Sequence, residues 1–414
     1  MRRTSFCLAL VLLVVSPLIV SEATPSVRAP EPVIEKTPAL TSFQTTLSSE
    51  GRSLYEHSVY IEPLDGSKPV VAFNENVSMN PASVIKLATS LAALEALGPD
   101  YRFRTEFYAK GPIDRRTGVL QGDLLLRSGG DPSFSIPDAR AVGDALRNLG
   151  IRRITGRLVV AGPFNCNYNT QTGVSVGVFR RQSRIGISGA TFYQPAIAEV
   201  VGEQPILTVE SEPLLRIIYY QNAHSVNAMA ELLAEKVGGA EGVRRFVTER
   251  LRLEDRSLVI SRASGLDYNR MSTRETVMLL RAFVEWLTAH GIQISSVMPV
   301  AGIDSSTLID RFDNDRFAGS VIAKTGTLHE SDGGVAALAG IAYTRTRGPV
   351  LFAIYDMAEG RRVEHLRQVQ DGFLMQTIEE LGGPRPRSFG EDRREIPAPS
   401  GRILVGSPVP RPAD

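Results

Sequence analysis

Three short polar clusters interrupt otherwise apolar stretches: Ser83 and Lys86 in PASVIKLATSL, Ser225 and Asn227 in QNAHSVNAMAELL, and Lys324, Thr325 and Gly326 in VIAKTGTL. Ser83 and Lys86 stand three residues apart where helical spacing of apolar residues begins, so their side chains share one face. An amine held there can take the proton of a hydroxyl, and a helix N-terminus favours the anion that develops. The chemistry open to the pair is nucleophilic acyl transfer through serine. Taken alone the spacing is common, and an N-cap serine beside a surface lysine accounts for it more simply.

The other two clusters change that balance. Ser225 and Asn227 lie just ahead of an amphipathic helical pattern, where a loop can turn both polar groups into a cleft; the plain alternative is a helix cap. Lys324, Thr325 and Gly326 break a strand-like run, and Gly326 would let a substrate approach the backbone closely; the plain alternative is a solvated strand end. Ser-x-x-Lys, Ser-x-Asn and Lys-Thr-Gly in that order, each opening a suitable element, form a far more specific signal than any one of them.

Other nucleophile candidates fare worse. GVSVG around Ser175 has the spacing of a nucleophile elbow, but it lacks the preceding buried strand and reads as a flexible loop. Cys166 has no nearby histidine or helix start to activate it. His57, His224, His290, His329 and His365 show no paired metal-ligand spacing, and only His224, beside Ser225, adjoins the candidate chemistry.

The elements that must position these residues follow from periodicity. LYEHSVYIEP and KPVVAFN flank Asp65-Gly66 as a hairpin, and a helix from about Ser83 ends before Gly98-Pro99. Residues 100–210 carry short strand-like runs punctuated by Gly, Pro and Asn, and read as a β-rich accessory domain inserted into the body. Helical spacing returns in SVNAMAELLAEKVG, AEGVRRFVTERLR and TRETVMLLRAFVEWLTAHG. SVIAKTGTL, GGVAALAGIAYT and PVLFAIYDMA then read as three consecutive strands, followed by a helix from near Arg361. The first hairpin and the last strands would share one sheet around a helical middle, an α+β arrangement with an antiparallel sheet flanked by helices. The body would comprise residues 50–99 and 211–382.

Residues 1–23 have the anatomy of a secretory signal peptide: Arg2 and Arg3, an apolar run from Phe6 to Val20, then Ser21 and Ala23. A retained anchor fits less well, because that run of about 15 residues falls short of the roughly 20 a membrane span needs. Residues 24–49, rich in Pro, Ser and Thr, read as a linker, and residues 383–414, rich in Pro and Arg, as a disordered tail. Lys and Arg total 46 against 45 Asp and Glu, which gives no support to nucleic acid as a partner. Loss of Cys7 with the signal would leave Cys166 without a disulfide partner in the same chain.

Beyond the three clusters, NPASVIKLATSLAALEALGPDYRFRTEFY, GDLLLRSGGDPSF, ASGLDYNRMSTRETVMLL, MPVAGIDSSTL and AKTGTLHESDGGVAALAG extend a resemblance to the penicillin-recognising serine enzymes. Within these the chain resembles the D-Ala-D-Ala carboxypeptidase/endopeptidase family, the class C low-molecular-mass penicillin-binding proteins, from about Ser53 to Gly382. The resemblance implies a penicillin-binding-protein/β-lactamase-like fold and hydrolysis of D-Ala-D-Ala bonds in peptidoglycan stem peptides, with β-lactams as covalent inhibitors and no metal or cofactor. It implies Ser83 as nucleophile, neutral Lys86 as its base with Lys324 helping to lower the Lys86 pKa, and Ser225 as proton relay. Asn227 would bind the substrate amide, Lys324 and Thr325 its terminal carboxylate, and the backbone N–H groups of Ser83 and Thr327 its oxyanion. A serine β-lactamase and a catalytically weak wall-binding protein are the rival readings. The chain departs from the family in a shortened insertion, in Val226 where Asp is common, and in the lack of an acidic residue in GRLVVAGPF. Val226 should point away from Ser225 and Asn227, and so tune activity rather than remove it.

Overall fold

The computed structural model describes residues 36–194, 203–254, 257–357, 363–389, 393 and 395–406. The signal-peptide reading of residues 1–23 lies outside them. The chain enters through helix α1 (Pro38–Ser49), capped by Thr37, whose Oγ1 accepts from the Leu40 amide at 3.1 Å. The linker reading therefore fails over this stretch: Ala39, Leu40, Phe43 and Leu47 recur at helical spacing and are buried beneath a Thr- and Ser-rich outer face. A hairpin follows, β1 (His57–Pro63) and β2 (Val71–Phe73), turning at Asp65, whose carboxylate accepts from the Ser67 amide. One 3-10 turn (Ala82–Ile85) then opens α2 (Lys86–Leu97), a helix with both Ser90 and Leu91 fully buried.

The next region holds β3 (Arg104–Lys110), β4 (Ile113–Asp114), β5 (Val119–Leu120), β6 (Asp123–Ser128), α3 (Ile136–Asn148), β7 (Arg153–Ile154), β8 (Leu158–Ala161), α4 (Thr172–Gln182), β9 (Gly186–Ile187), β10 (Thr191–Gln194) and β11 (Leu207–Glu210). After it come α5 (Leu214–His224), α6 (Asn227–Ala234), α7 (Gly239–Leu251), the short strands β12 (Val259–Ile260) and β13 (Asn269–Arg270), and α8 (Thr273–Ala289). The chain closes with β14 (Val321–Leu328), β15 (Val335–Thr344), β16 (Gly348–Met357), α9 (Val363–Glu380) and β17 (Arg402–Val405).

The main sheet runs β14-β15-β16-β1-β2 and is antiparallel throughout. Both its faces are covered. Val335, Ala337, Ala339 and Ile341 join the core that includes α2 and α8, while Ala336, Leu338 and Ala342 join the core with α1 and α9. Burial on both faces explains why these strands read as near-continuous apolar runs rather than alternating ones. The result is a mixed α+β fold.

A second, mixed sheet runs β10-β8-β6-β3-β11-β17 and has its own core with α3 and α4, where Phe107, Phe164 and Phe179 meet. The two helices are absent from the sequence reading of this stretch as strands. Helix α4 also corrects the flexible-loop reading around Ser175, which is buried inside it. The tail reading needs correction too. Strand β17 pairs antiparallel with β11, and Arg393 forms an ion pair with the buried Asp304 at 2.9 Å.

Candidate active site

The 3-10 turn, rather than the first turn of α2, carries Ser83, and its geometry is imposed from several sides. Ala82 adopts φ 46°, a left-handed conformation costing a non-glycine residue roughly 1–2 kcal/mol. Its amide donates to Asn80 Oδ1 at 3.0 Å, and Asn80 Nδ2 donates to the Asp267 carbonyl and to Asp332 at 2.7 Å. Gly265, at φ 87°, packs so closely that a Cβ there would meet the Ala82 carbonyl oxygen at 2.0 Å. Gly326 plays a similar part: its Cβ would lie 2.7 Å from the Pro81 oxygen, so the missing side chain lets β14 dock against the Ser83 turn. The close approach expected at Gly326 is thus to the protein's own backbone.

Lys86 is fully buried, and its Nζ lies 2.8 Å from Ser83 Oγ, 2.7 Å from Asn227 Oδ1 and 2.5 Å from the Ser264 carbonyl oxygen. A neutral amine has two N–H donors and one lone pair. Asn227 and Ser264 are acceptors and take the two donors, which leaves the lone pair for the Ser83 hydroxyl. Burial pushes the Lys86 pKa down to about 7, against an opposing pull from Glu231. Burial, and not the charge of Lys324, is the cause. Glu231 also fixes Ser264, accepting from its hydroxyl at 2.5 Å and its amide at 3.1 Å.

Ser225 does not cap the following helix. It ends α5 in a left-handed turn at φ 54°, and the corner between α5 and α6 brings Ser225 and Asn227 to one cavity. Val226 packs against the apolar core. Lys324 on β14 is fully buried and donates to Ser225 Oγ at 2.9 Å and the Thr325 carbonyl at 2.7 Å. Burial first, and repulsion from Lys86 second, hold its pKa well below the ordinary lysine value. Thr325 Oγ1 donates to Thr307 Oγ1 at 2.9 Å, and Thr327 Oγ1 accepts from Arg367 at 2.5 Å.

Ser83, Ser225, Asn227, Thr325 and Thr327 open together onto a cavity of about 590 Å³. Ser306, Thr307, Asp310 and Arg311 line it from one loop, and Glu364, Arg367, Gln368 and Asp371 from one face of α9. Ser306 and Thr307 lie in the stretch MPVAGIDSSTL that carries part of the resemblance, but no role was read for them, and the other wall residues and the Ser264 carbonyl were not legible from the motifs. The i, i+3, i+4, i+7 spacing of the polar set on α9 was the only signal available for the wall. The remaining candidates stand apart. Cys166 is buried, with its thiol pushed up to about 12, and the His224 ring meets the Ile396 carbonyl oxygen at 3.3 Å.

A serine and a buried lysine on the turn entering α2, facing Ser-x-Asn and the edge strand of a five-stranded antiparallel sheet, place the fold in the penicillin-binding-protein/β-lactamase class. Among solved structures, a predatory peptidoglycan endopeptidase of Bdellovibrio bacteriovorus is similar with a TM-score of 0.68 at 19% identity, over 84% of this chain and 100% of that one. Penicillin binding protein 4 of Haemophilus influenzae is similar with a TM-score of 0.63 at 18% identity, over 78% of this chain and 96% of that one. The family model of the D-Ala-D-Ala carboxypeptidase 3 (S13) family matches residues 45–164 and 183–376, and the chain belongs to that family. A D-alanyl-D-alanine carboxypeptidase of Actinomadura sp. (strain R39) is 44% identical over 78 residues, which is 19% of this chain and 14% of that protein. DacB of Haemophilus influenzae, also a D-alanyl-D-alanine carboxypeptidase, is 32% identical over 91 residues, covering 22% of this chain and 19% of its own.

Proposed function

We propose that this protein is a serine DD-peptidase that hydrolyses D-Ala-D-Ala-type bonds of peptidoglycan stem peptides through a Ser83 acyl-enzyme, and that β-lactams acylate the same serine. The observation that carries the reading is the buried Lys86 amine, 2.8 Å from Ser83 Oγ with its other contacts fixed on acceptors. Lys86 takes the hydroxyl proton as Ser83 Oγ attacks the carbonyl between two D-alanines. The oxyanion sits on the backbone N–H groups of Ser83 and Thr327, each such donor being worth about 3 kcal/mol. Ser225 passes a proton to the leaving amine, and the Lys324 contact at 2.9 Å keeps its hydroxyl oriented for that transfer. Asn227 binds the substrate amide, and Thr325 and Thr327 face the terminal carboxylate with Lys324 behind them. Gly326 contributes by closing β14 onto the nucleophile turn. Water then cleaves the acyl-enzyme.

Release of D-alanine from a peptide ending in D-Ala-D-Ala is the deciding assay, and cleavage of cross-linked muropeptides measures the endopeptidase share. A protein that labels with a fluorescent penicillin yet cleaves neither would be a wall-binding protein, and rapid nitrocefin turnover would make it a β-lactamase. Residues 1–23 fit export to the periplasm or the outer face of the cytoplasmic membrane, which N-terminal sequencing of the exported protein tests. No helix among the described residues is long and apolar enough to cross a membrane.

A further inference from the structure

The cations around the cavity are in two different states. The two lysines behind its lining, in contact with Ser83 and Ser225, are fully buried, and burial disfavours their charged forms. A terminal carboxylate reaching Thr325 and Thr327 therefore meets, in Lys324, an amine already engaged with Ser225 and the Thr325 carbonyl. Two guanidinium groups stand on the opposite wall. Arg311 is committed: its Nη2 lies 2.6 Å and its Nε 3.1 Å from the two oxygens of Asp371, a bidentate pair that neutralises it. Arg367 is not. Among the described residues the one carboxylate within ion-pair distance is Glu364 at 3.3 Å, an exposed side chain one turn away on the same helix, and the Arg367 Nη2 donates at 2.5 Å to Thr327 Oγ1. A guanidinium stays charged at any working pH and presents further N–H groups in a fixed fork beside the one Thr327 uses.

Resting on the peptidase reading above, we propose that Arg367 is a specificity-determining residue, holding the free terminal carboxylate of the substrate together with the hydroxyls of Thr325 and Thr327. The permanent positive charge of the carboxylate subsite then comes from α9, across the cleft from Lys-Thr-Gly. Glu364 competes with substrate for the guanidinium in the empty site and yields it readily, because an exposed i,i+3 ion pair is weak. The Arg311–Asp371 pair, one turn further along α9, anchors the helix face from which Arg367 reaches the cleft.

The test compares two peptides that differ only at the end, one closing in D-Ala-D-Ala and one in its C-terminal carboxamide. For wild type, Arg367→Gln and Arg367→Lys, kcat/KM is measured on both, with the thermal midpoint of each variant as a check of folding. In Arg367→Gln the preference for the free carboxylate should fall roughly 10- to 100-fold, the scale of one charge-assisted contact, mostly through KM. Arg367→Lys should recover part of that preference, since the charge remains and the planar fork is lost. An unchanged carboxylate-to-amide ratio in a folded Arg367→Gln protein overturns the proposal, as does an equal loss on both peptides, which marks a structural role. A wild-type protein that cleaves neither peptide overturns the peptidase reading instead, and this assignment falls with it.

Discussion

The floor and the wall of one cavity treat positive charge in opposite ways. Behind the floor, in contact with Ser83 and Ser225, Lys86 and Lys324 are fully buried with no carboxylate in hydrogen-bond contact among the described residues, and burial disfavours their ammonium forms. On the wall, Arg311 is nearly as buried but is matched by Asp371 in a bidentate pair. Burying an unpaired lysine stores free energy in a reactive base; burying a paired arginine does no chemistry and fixes geometry. The difference between the two kinds of buried cation here lies in what accompanies them.

The largest separation between the two regions is in turnover. Ser83→Ala should abolish labelling by a fluorescent penicillin, and Lys86→Ala should slow it by roughly 10⁴-fold, the upper range for loss of a general base. Persistent labelling of the Ser83→Ala protein would refute the nucleophile assignment. Arg311→Ala should instead act on folding: it leaves Asp371 largely buried without its partner and should destabilise by about 3 kcal/mol. A denaturant titration that finds no loss would show that the wall pair does not anchor α9. The pH profile sharpens the contrast. Only neutral Lys86 can accept the proton, so with its pKa near 7 the acylation rate should rise with pH up to about 7 and level off above. From the plateau down to pH 5 it should drop by roughly 100-fold, about half-way to its maximum being reached at pH 7. A flat profile across that window would rule out Lys86 as the titrating base.

Legibility in the sequence divided along the same line. The floor could be read because each of its members sits in a short spacing that only a few arrangements satisfy, as Ser83 and Lys86 do on one face of a turn. The third neighbour of Lys86 could not, since a carbonyl such as that of Ser264 carries no residue signature. Arg311 belongs to none of the three clusters, and its pairing with Asp371 across sixty residues leaves no local pattern; Arg367 likewise meets Thr327 only across forty. The main sheet was legible from its long apolar runs. Helix α1 was hidden by Thr, Ser and Pro on its outer face although Ala39, Leu40, Phe43 and Leu47 kept helical spacing. Strand β17 was hidden because its four residues, none of them buried, gain their structure from pairing with β11, not from their own sequence.

The smallest expected effect is the most direct test of what separates floor from wall, because it predicts a gain of stability from the loss of the proposed general base. The unfolded chain holds Lys86 at its ordinary pKa of 10.5, whereas the folded chain holds it near 7. Between those values the unfolded state binds the proton that the folded state has shed, so this residue's contribution makes stability rise with pH across the window. Below about pH 7 both states carry the proton and the penalty is full. Lys86→Met keeps the volume and removes the penalty, while leaving Asn227 Oδ1 and the Ser264 carbonyl without their donor, which offsets part of the gain. The net expectation is a protein more stable than wild type by about 1–2 kcal/mol at pH 7. That advantage should shrink as pH approaches 10, because the wild-type penalty fades there and the variant has none to lose. Denaturant midpoints of both proteins at pH 7 and pH 10 measure it, with all other titrating groups cancelling in the difference. A gap between the two proteins that does not narrow with pH would mean that Lys86 does not carry its burial cost as a suppressed charge.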